Sequence, residues 1–200
     1  MGKEIKSIAL TTEDKRLIAY HEAGHALVRL LLPETSDPLH KVTIIPRGSA
    51  LGVTHSLPER EKYITTKEEM EASVMSALGG RVAEQIIFNK LTTGAYSDFQ
   101  AANSITRNMV CKYGMSPEIG AVIYGQRYGD FEYSQKTAEK IDAEVQRLTE
   151  LYLEQTRTLL EANKDKLDLL AQALIEKETM HAEEIYQLLN ITPREAHKFV

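Results

Sequence analysis

The chain has 200 residues, of which 42% are hydrophobic, and a formal net charge of −5. This length allows one substantial domain with a packed core, and the acidic balance without a basic stripe argues against nucleic acid as the main partner. The sequence contains no run of eighteen apolar residues, the length that would predict a membrane span. We therefore expect no membrane contact by these residues themselves. Cys111 is the only cysteine, so a metal site must use His, Asp or Glu.

The first predicted elements are two helices separated by a β region. Thr12 is predicted to cap a helix that ends before Pro33. Residues 40–57 place two β-branched segments around a turn and predict a hairpin, the only convincing β region. A second helix is predicted after Thr66, because Glu69 three residues later completes a capping box.

The remainder of the chain is predicted to be mostly helical. Ser97 with Gln100 fits a capping box at the start of the third helix, and a short strand is predicted at 121–124. The helices are predicted at about 98–113, 134–162, 165–177 and 180–189, with a last helix starting at 192–195. The apolar face of the long helix is formed by Ile141, Val145, Leu148, Tyr152 and Leu159.

The fold class that follows is mainly α, with one small β-sheet or hairpin and a helical C-terminal part. We expect a single domain over 1–200. Its parts are a lead-in at 1–11, a catalytic part at 12–130 and the helical part at 131–200.

Glycines interrupt both N-terminal helices. Gly79 and Gly80 lie in the middle of the second helix, where each costs roughly 1 kcal/mol relative to alanine. Gly24 lies inside the first helix, between two histidines. Because a glycine lets another backbone approach closely, we expect these positions to pack tightly against other elements.

Residues 20–28 read YHEAGHALV, which contains the pattern His-Glu-x-x-His. On a helix, His21 and His25 lie on one face and can hold one ion, while Glu22 is rotated by about 100°. Catalytic zinc has three protein ligands and one open position, and it lowers the pKa of water to about 7 beside a carboxylate that can take the proton. The plainer interpretation is two partly buried histidines and a solvated glutamate.

The third ligand has four candidates: Asp98, Glu84, His40 and His55. Asp98 begins a helix after a tight turn, although an acid there also compensates the helix dipole. Glu84 lies among apolar neighbours, where a buried carboxylate would need a partner such as the second ring nitrogen of a ligand histidine. The plainer alternatives are a salt bridge to Arg81 or a position on a solvated face. The two histidines border the β region and suit ordinary strand-end positions. Spacing alone does not choose between the two acids.

Four segments of the chain resemble one known family. They read HEAGHALV, KVTIIPRGSALGVT, GGRVAEQIIF and LTTGAYSDFQAANSITRNMVCKYGMS, in this order. Together they resemble the peptidase domain of the FtsH family, the membrane-anchored ATP-dependent zinc metalloproteases. The resemblance covers about residues 8–190.

This resemblance implies a role for each residue of the candidate site. His21, His25 and Asp98 match the zinc ligands, and Glu22 matches the general base. Glu84 matches the glutamate that partners a ligand histidine. The cofactor implied is one Zn²⁺ per chain.

Two departures from the family are visible in the sequence. Gln85 stands where the family has a second glutamate, a change that should not affect the zinc. No Gly-x-x-x-x-Gly-Lys-Ser/Thr loop is present in these 200 residues. We therefore expect a protease domain that does not bind ATP itself.

The function implied is a zinc endopeptidase that degrades unfolded polypeptides delivered by an ATPase module in cis. The resemblance further implies a homo-hexamer at the cytoplasmic face of the inner membrane, or an organelle equivalent, in membrane protein quality control. The alternatives are a zinc hydrolase of a small molecule and a non-enzymatic helical scaffold.

An extended peptide can pair with the edge of a sheet. The predicted strand within 50–56 is the candidate for this contact, although it could instead be an internal strand of the hairpin. The candidate residues are Leu51, Gly52, Val53 and Thr54.

Overall fold

The computed structural model describes residues 10–33, 35–46, 52–56, 64–127, 130–131 and 133–193. The helices are α1 (Thr12–Leu31), α2 (Lys67–Phe88), α3 (Tyr96–Cys111), α4 (Gln135–Glu161), α5 (Lys164–Lys177) and α6 (Ala182–Leu189). The strands are β1 (Leu39–Thr43), β2 (Val53–Ser56), β3 (Gln126–Arg127), β4 (Asp130–Phe131) and β5 (Thr179–His181). The mainly α fold with one small sheet is thereby confirmed, and the division into a catalytic and a C-terminal part stays a prediction.

Capping boxes begin both N-terminal helices. In α1 the N-cap residue is Thr11 rather than Thr12. The Thr11 hydroxyl accepts a hydrogen bond from the backbone N–H of Asp14, and the Asp14 carboxylate accepts one from the backbone N–H of Thr11. The prediction was wrong by one residue because Asp14 can close the reciprocal pair only with Thr11. In α2 the predicted box of Thr66 and Glu69 is confirmed.

The start of α3 differs from the prediction. A 3-10 turn at Thr93–Ala95 leads directly into α3, and Thr92 caps that turn by accepting from the Gly94 backbone. The N-cap of α3 is Ala95, without a side-chain hydrogen bond, so the capping box predicted for Ser97 and Gln100 was wrong. The turn brings Asp98 into the first turn of α3.

The three-stranded antiparallel sheet has the order β2-β1-β5. The predicted hairpin within 40–57 is confirmed as β1 and β2, and β2 pairs with a strand on one side only among the described residues. The third strand, Thr179–His181, includes the first two residues of the helix predicted at 180–189, which begins instead at Ala182 as α6. The register places buried Met180 opposite Val42, a long-range pairing that a local pattern does not reveal.

Other C-terminal predictions have mixed outcomes. The strand predicted at 121–124 is absent, and β3 and β4 form a two-stranded ribbon instead.

The helix predicted at about 134–162 is confirmed as α4. Four of its five predicted apolar positions are buried, and Leu160 is buried in place of the fifth, Leu159. The last predicted helix, which would begin at 192–195, extends outside the described residues.

The packing places α1 at the centre of the fold. It contacts α2 on one side, α5 on another, and β1 and β2 of the sheet. α2 in turn contacts α3 and α4. The described helices include none that is both long and apolar enough to cross a bilayer.

The glycines make the contact between α1 and α2 close. A Cβ atom at Gly24 would collide with the backbone carbonyl of Gly79 and lie 2.8 Å from the Cβ of Ala83. A Cβ at Gly79 would lie 2.7 Å from the Gly24 carbonyl oxygen. The expectation of tight packing at these glycines is confirmed.

We expect Gly24→Ala to lower the free energy of unfolding by about 1–3 kcal/mol, because the added methyl group meets backbone that cannot move aside. This loss should outweigh the gain in helix propensity. Denaturant titration followed by circular dichroism measures it. The matched control is Gly125→Ala, where a Cβ would have no atom within 4 Å. Equal unfolding midpoints for Gly24→Ala and the wild type would contradict the packing argument.

Candidate metal centre

Three ligand-type atoms converge between α1 and α3. The Nε2 atoms of His21 and His25 lie 3.0 Å apart. Asp98 Oδ2 lies 3.2 Å from the first and 3.5 Å from the second. Zinc bonds of about 2.0–2.2 Å in a tetrahedron require ligand atoms about 3.3–3.6 Å apart. The three atoms are therefore spaced much as zinc ligands would be.

The residues present fit a catalytic zinc ion. Two imidazoles and one carboxylate are a donor set that zinc accepts, and three protein ligands leave a fourth position open. Gly80 of α2 forms the floor beneath them: a Cβ there would lie 2.6 Å from both Nε2 atoms. Any larger residue at this position would occupy the space beside the donor atoms.

Glu84 holds one histidine by its other nitrogen. Its side chain is fully buried, and Oε1 lies 2.7 Å from His21 Nδ1, while Oε2 accepts from the Thr92 hydroxyl at 3.0 Å. Because Nδ1 donates to this carboxylate, the lone pair on His21 Nε2 is left for a cation. Arg81 donates a hydrogen bond to the backbone carbonyl of Thr92 instead of pairing with the Glu84 carboxylate.

The backbone orients the second histidine in the same way. His25 Nδ1 donates to the carbonyl of Ser76 in α2 at 2.7 Å. This bond fixes the tautomer in which Nε2 carries the lone pair. Both imidazoles thus reach the centre already oriented, one by a side chain and one by a helix carbonyl.

The charged neighbours at this site shift the pKa values of His21 and Asp98 in opposite directions. Burial alone would lower the pKa of His21, but hydrogen bonds to Asp98 and Glu84 raise it to about 10. Burial alone would raise the pKa of Asp98, but the two histidines hold it well below its usual range. A metal ion held by these three side chains would displace protons from them, because metal binding requires a neutral imidazole and an ionised carboxylate.

Glu22 lies beside the centre without joining it. The residue is only 6% exposed, and its Oε2 accepts from the Thr54 hydroxyl of β2 at 2.7 Å. Burial raises the pKa of Glu22, and the nearby His25 and His21 oppose that rise. The carboxylate is thus held next to the ligand histidines by a strand from the sheet.

The two other histidine candidates lie elsewhere. His40 packs edge-on against the His181 ring, with centroids 6.0 Å apart, and His55 lies in the β1–β2 ladder opposite Lys41. Across the described ranges, the only group of three potential metal ligands is His21, His25 and Asp98. The geometry therefore favours Asp98 over Glu84 and over both histidines.

Comparison with known proteins agrees with this geometry. The model of peptidase family M41 matches residues 8–188. The chain belongs to peptidase family M41. Its relatives include three proteins named ATP-dependent zinc metalloprotease FtsH (one of them FtsH 1), from Rickettsia prowazekii (46% identity), Thermoanaerobacter sp. (43%) and Bacillus subtilis (42%). The alignments cover 100%, 94% and 94% of this chain and 33%, 32% and 31% of those proteins. The chain thus spans about a third of their length.

The candidate metal centre of this M41 chain opens into a cleft of about 660 Å³. One wall is β2 with the preceding Gly52, and Tyr96 and Ser97 at the start of α3 also line the cleft. Of the predicted substrate segment, Gly52, Val53 and Thr54 line this cleft, and Leu51 lies outside the described residues. The strand is at the edge of the described sheet rather than inside it.

Several residues of the M41 site escaped the sequence analysis. Gly80 was expected to pack closely, but not against the ligand histidines. Thr92 and the Ser76 carbonyl have no local pattern that would identify them. Arg29 also lines the cleft, and its position four residues after His25 could have identified it.

Proposed function

We propose that the chain is a zinc-dependent endopeptidase acting on unfolded polypeptides. The observation that carries this proposal is the convergence of His21, His25 and Asp98 in an open cleft, with the Glu22 carboxylate beside them. Membership of peptidase family M41 supports this proposal. The relatives, which are about three times as long as this chain, are named zinc metalloproteases, and this supports it too.

In the proposed reaction, His21, His25 and Asp98 hold one Zn²⁺ per chain. Bound zinc polarises the scissile carbonyl group and makes water more acidic. The Glu22 carboxylate accepts a proton from the attacking water and delivers it to the leaving amine nitrogen. Thr54 orients that carboxylate through its hydroxyl, and Glu84 keeps His21 in the tautomer that binds metal.

The substrate is proposed to bind as an extended strand along the outer edge of β2. The substrate backbone would pair with the segment formed by Leu51, Gly52, Val53 and Thr54, which ends next to Glu22. Backbone pairing tolerates many side chains, and most extended segments of a folded protein are already paired within its own sheets. An unfolded polypeptide is therefore the substrate that this edge favours.

The proposal extends to the longer protein that the relatives represent. Their names include ATP dependence, so we infer that an ATPase module in cis delivers polypeptides to this chain in unfolded form. The family resemblance also supports a homo-hexamer and a membrane anchor that places the chain at the cytoplasmic face of the inner membrane or an organelle equivalent.

We expect the zinc-loaded chain to fragment an unfolded polypeptide such as casein in the absence of ATP. A chelator should abolish the cleavage and added Zn²⁺ should restore it, because the centre holds the metal through only three side chains. Gel electrophoresis with mass spectrometry of the fragments measures this.

The control is a stably folded protein of similar size, which should remain intact. Zinc bound at one ion per chain without any peptide cleavage would contradict the proposal and favour a hydrolase of small molecules. A chain that binds no zinc would favour a scaffold.

A further inference from the structure

Arg29 continues the line of site residues along α1. It follows His25 by four residues, as His25 follows His21, so the three side chains lie on one face of the helix. Arg29 also lines the same cleft as the metal centre. Among the cleft-lining residues that the structure describes, it is the only lysine or arginine.

The guanidinium of Arg29 is only partly used by the protein. Its Nη1 donates a hydrogen bond to the Ser56 hydroxyl of β2. The carboxylates of Asp37 and Glu22 attract its positive charge. Its Nε–H is buried and has no hydrogen-bond partner within the described part of the chain. A buried donor without an acceptor is unfavourable, more so in a charged group, so a ligand that accepts a hydrogen bond from the guanidinium would be stabilising.

The plainer role for Arg29 is structural. A cation in the last turn of a helix interacts favourably with the helix dipole, and the bond to Ser56 joins α1 to β2. The dipole interaction does not require burial in a cleft, and the Ser56 hydroxyl accounts for one of five donors. The structural role therefore does not account for the unpaired Nε–H or for the position of the charge in the cleft.

The strand β2 and the residue before it run alongside α1 in the same direction. Gly52 lies against Ile18 and Glu22, Thr54 bonds Glu22, and Ser56 bonds Arg29. Thr54 and Ser56 are two residues apart in β2, and an extended chain advances about 6–7 Å over two residues. A peptide lying on β2 with its scissile bond at Glu22 would reach Arg29 about two residues away.

The acids of the metal centre are already occupied. Asp98 contacts both histidines, and Glu84 bonds His21 and Thr92. We propose that Arg29 is a specificity-determining residue that binds a substrate carboxylate about two residues from the cleaved bond. This inference rests on the proposed peptidase function. The carboxylate can belong to an acidic side chain or to the end of the polypeptide, since a guanidinium forms the same paired hydrogen bonds with either.

The test uses C-terminally amidated peptides with one cleavable bond and no other acidic side chain, in which a single Glu is moved through the three positions on each side of that bond. Each is compared with the matched Gln peptide, and a further peptide ends in a free carboxylate two residues after the bond. We expect the wild type to show a roughly five- to tenfold higher kcat/KM for a carboxylate about two residues from the bond on one side. Arg29→Met should remove the preference and Arg29→Lys should retain part of it.

The matched control is Arg107→Gln, which removes a partly exposed arginine that pairs with Asp142 on α4, away from the metal cleft. It should keep the full preference. Equal rates for Glu and Gln peptides at every position and for free and amidated ends, or a preference that survives in Arg29→Met, would overturn the proposal.

A binding measurement separates this inference from the proposed function. Fluorescence anisotropy of the labelled Glu and Gln peptides on the Glu22→Gln protein reports recognition without cleavage. If the wild type cleaves no peptide but the Glu peptide binds several-fold more tightly in an Arg29-dependent way, the peptidase function fails and carboxylate recognition is supported. Equal binding of the two peptides overturns the Arg29 proposal by itself.

Discussion

Replacement of Glu22 by glutamine is expected to lower kcat by roughly two to four orders of magnitude, the usual contribution of a positioned acid or base. Zinc content should not change, because Glu22 bonds Thr54 and lies beside the three converging atoms rather than among them. Glutamine keeps the shape of the side chain but cannot accept the proton from water. Steady-state cleavage of an unfolded polypeptide and metal analysis of the same sample measure the two effects.

The control for Glu22→Gln is Glu13→Gln on the same helix. Glu13 is exposed and pairs with Lys90, far from the cleft, so this variant should turn over at the wild-type rate. Near-normal turnover of Glu22→Gln would remove this residue from the mechanism.

Asp98→Ala is expected to lose zinc, and with it activity. Asp98 supplies one of the three converging atoms, and its removal leaves two histidines that cannot complete a catalytic site. The loss in zinc affinity should exceed the roughly 10–100-fold loss typical of residues that only orient a ligand. Competition with a chromogenic chelator measures the affinity, and metal analysis after dialysis gives the number of ions per chain.

Two variants make the Asp98 experiment decisive. Asp142→Ala removes an exposed acid on α4 and should bind zinc normally. Glu84→Gln keeps the three converging atoms and should lose less affinity than Asp98→Ala. Full zinc occupancy in Asp98→Ala would instead make Glu84 the third ligand. Circular dichroism of each variant distinguishes loss of metal from loss of the fold.

Local patterns in the sequence were sufficient for the helices. Capping residues and apolar spacing predicted α2 and α4 closely, and the first cap was displaced by one residue to Thr11. These features depend on contacts within three or four residues, which the order of amino acids specifies directly. Three strands were not predicted. β5 pairs with β1, which is far away in the chain, so no local pattern reveals it. β3 and β4 have two residues each, which is too short for the alternating pattern that identifies a strand.

The same division applies to the metal centre. The sequence by itself determined that His21 and His25 share a helix face with Glu22 beside them, because a helix repeats every 3.6 residues. Spacing alone left Asp98 and Glu84 as alternatives, and only the family resemblance gave them different roles. The tertiary structure places Asp98 Oδ2 near both Nε2 atoms and Glu84 Oε1 at His21 Nδ1, because of how α2 and α3 pack against α1. It also decided that Gly80 lies beneath the histidines and that Arg29 reaches Ser56 at the edge of the sheet. These contacts join residues distant in the chain, so their geometry arises only when the helices and the sheet have packed together.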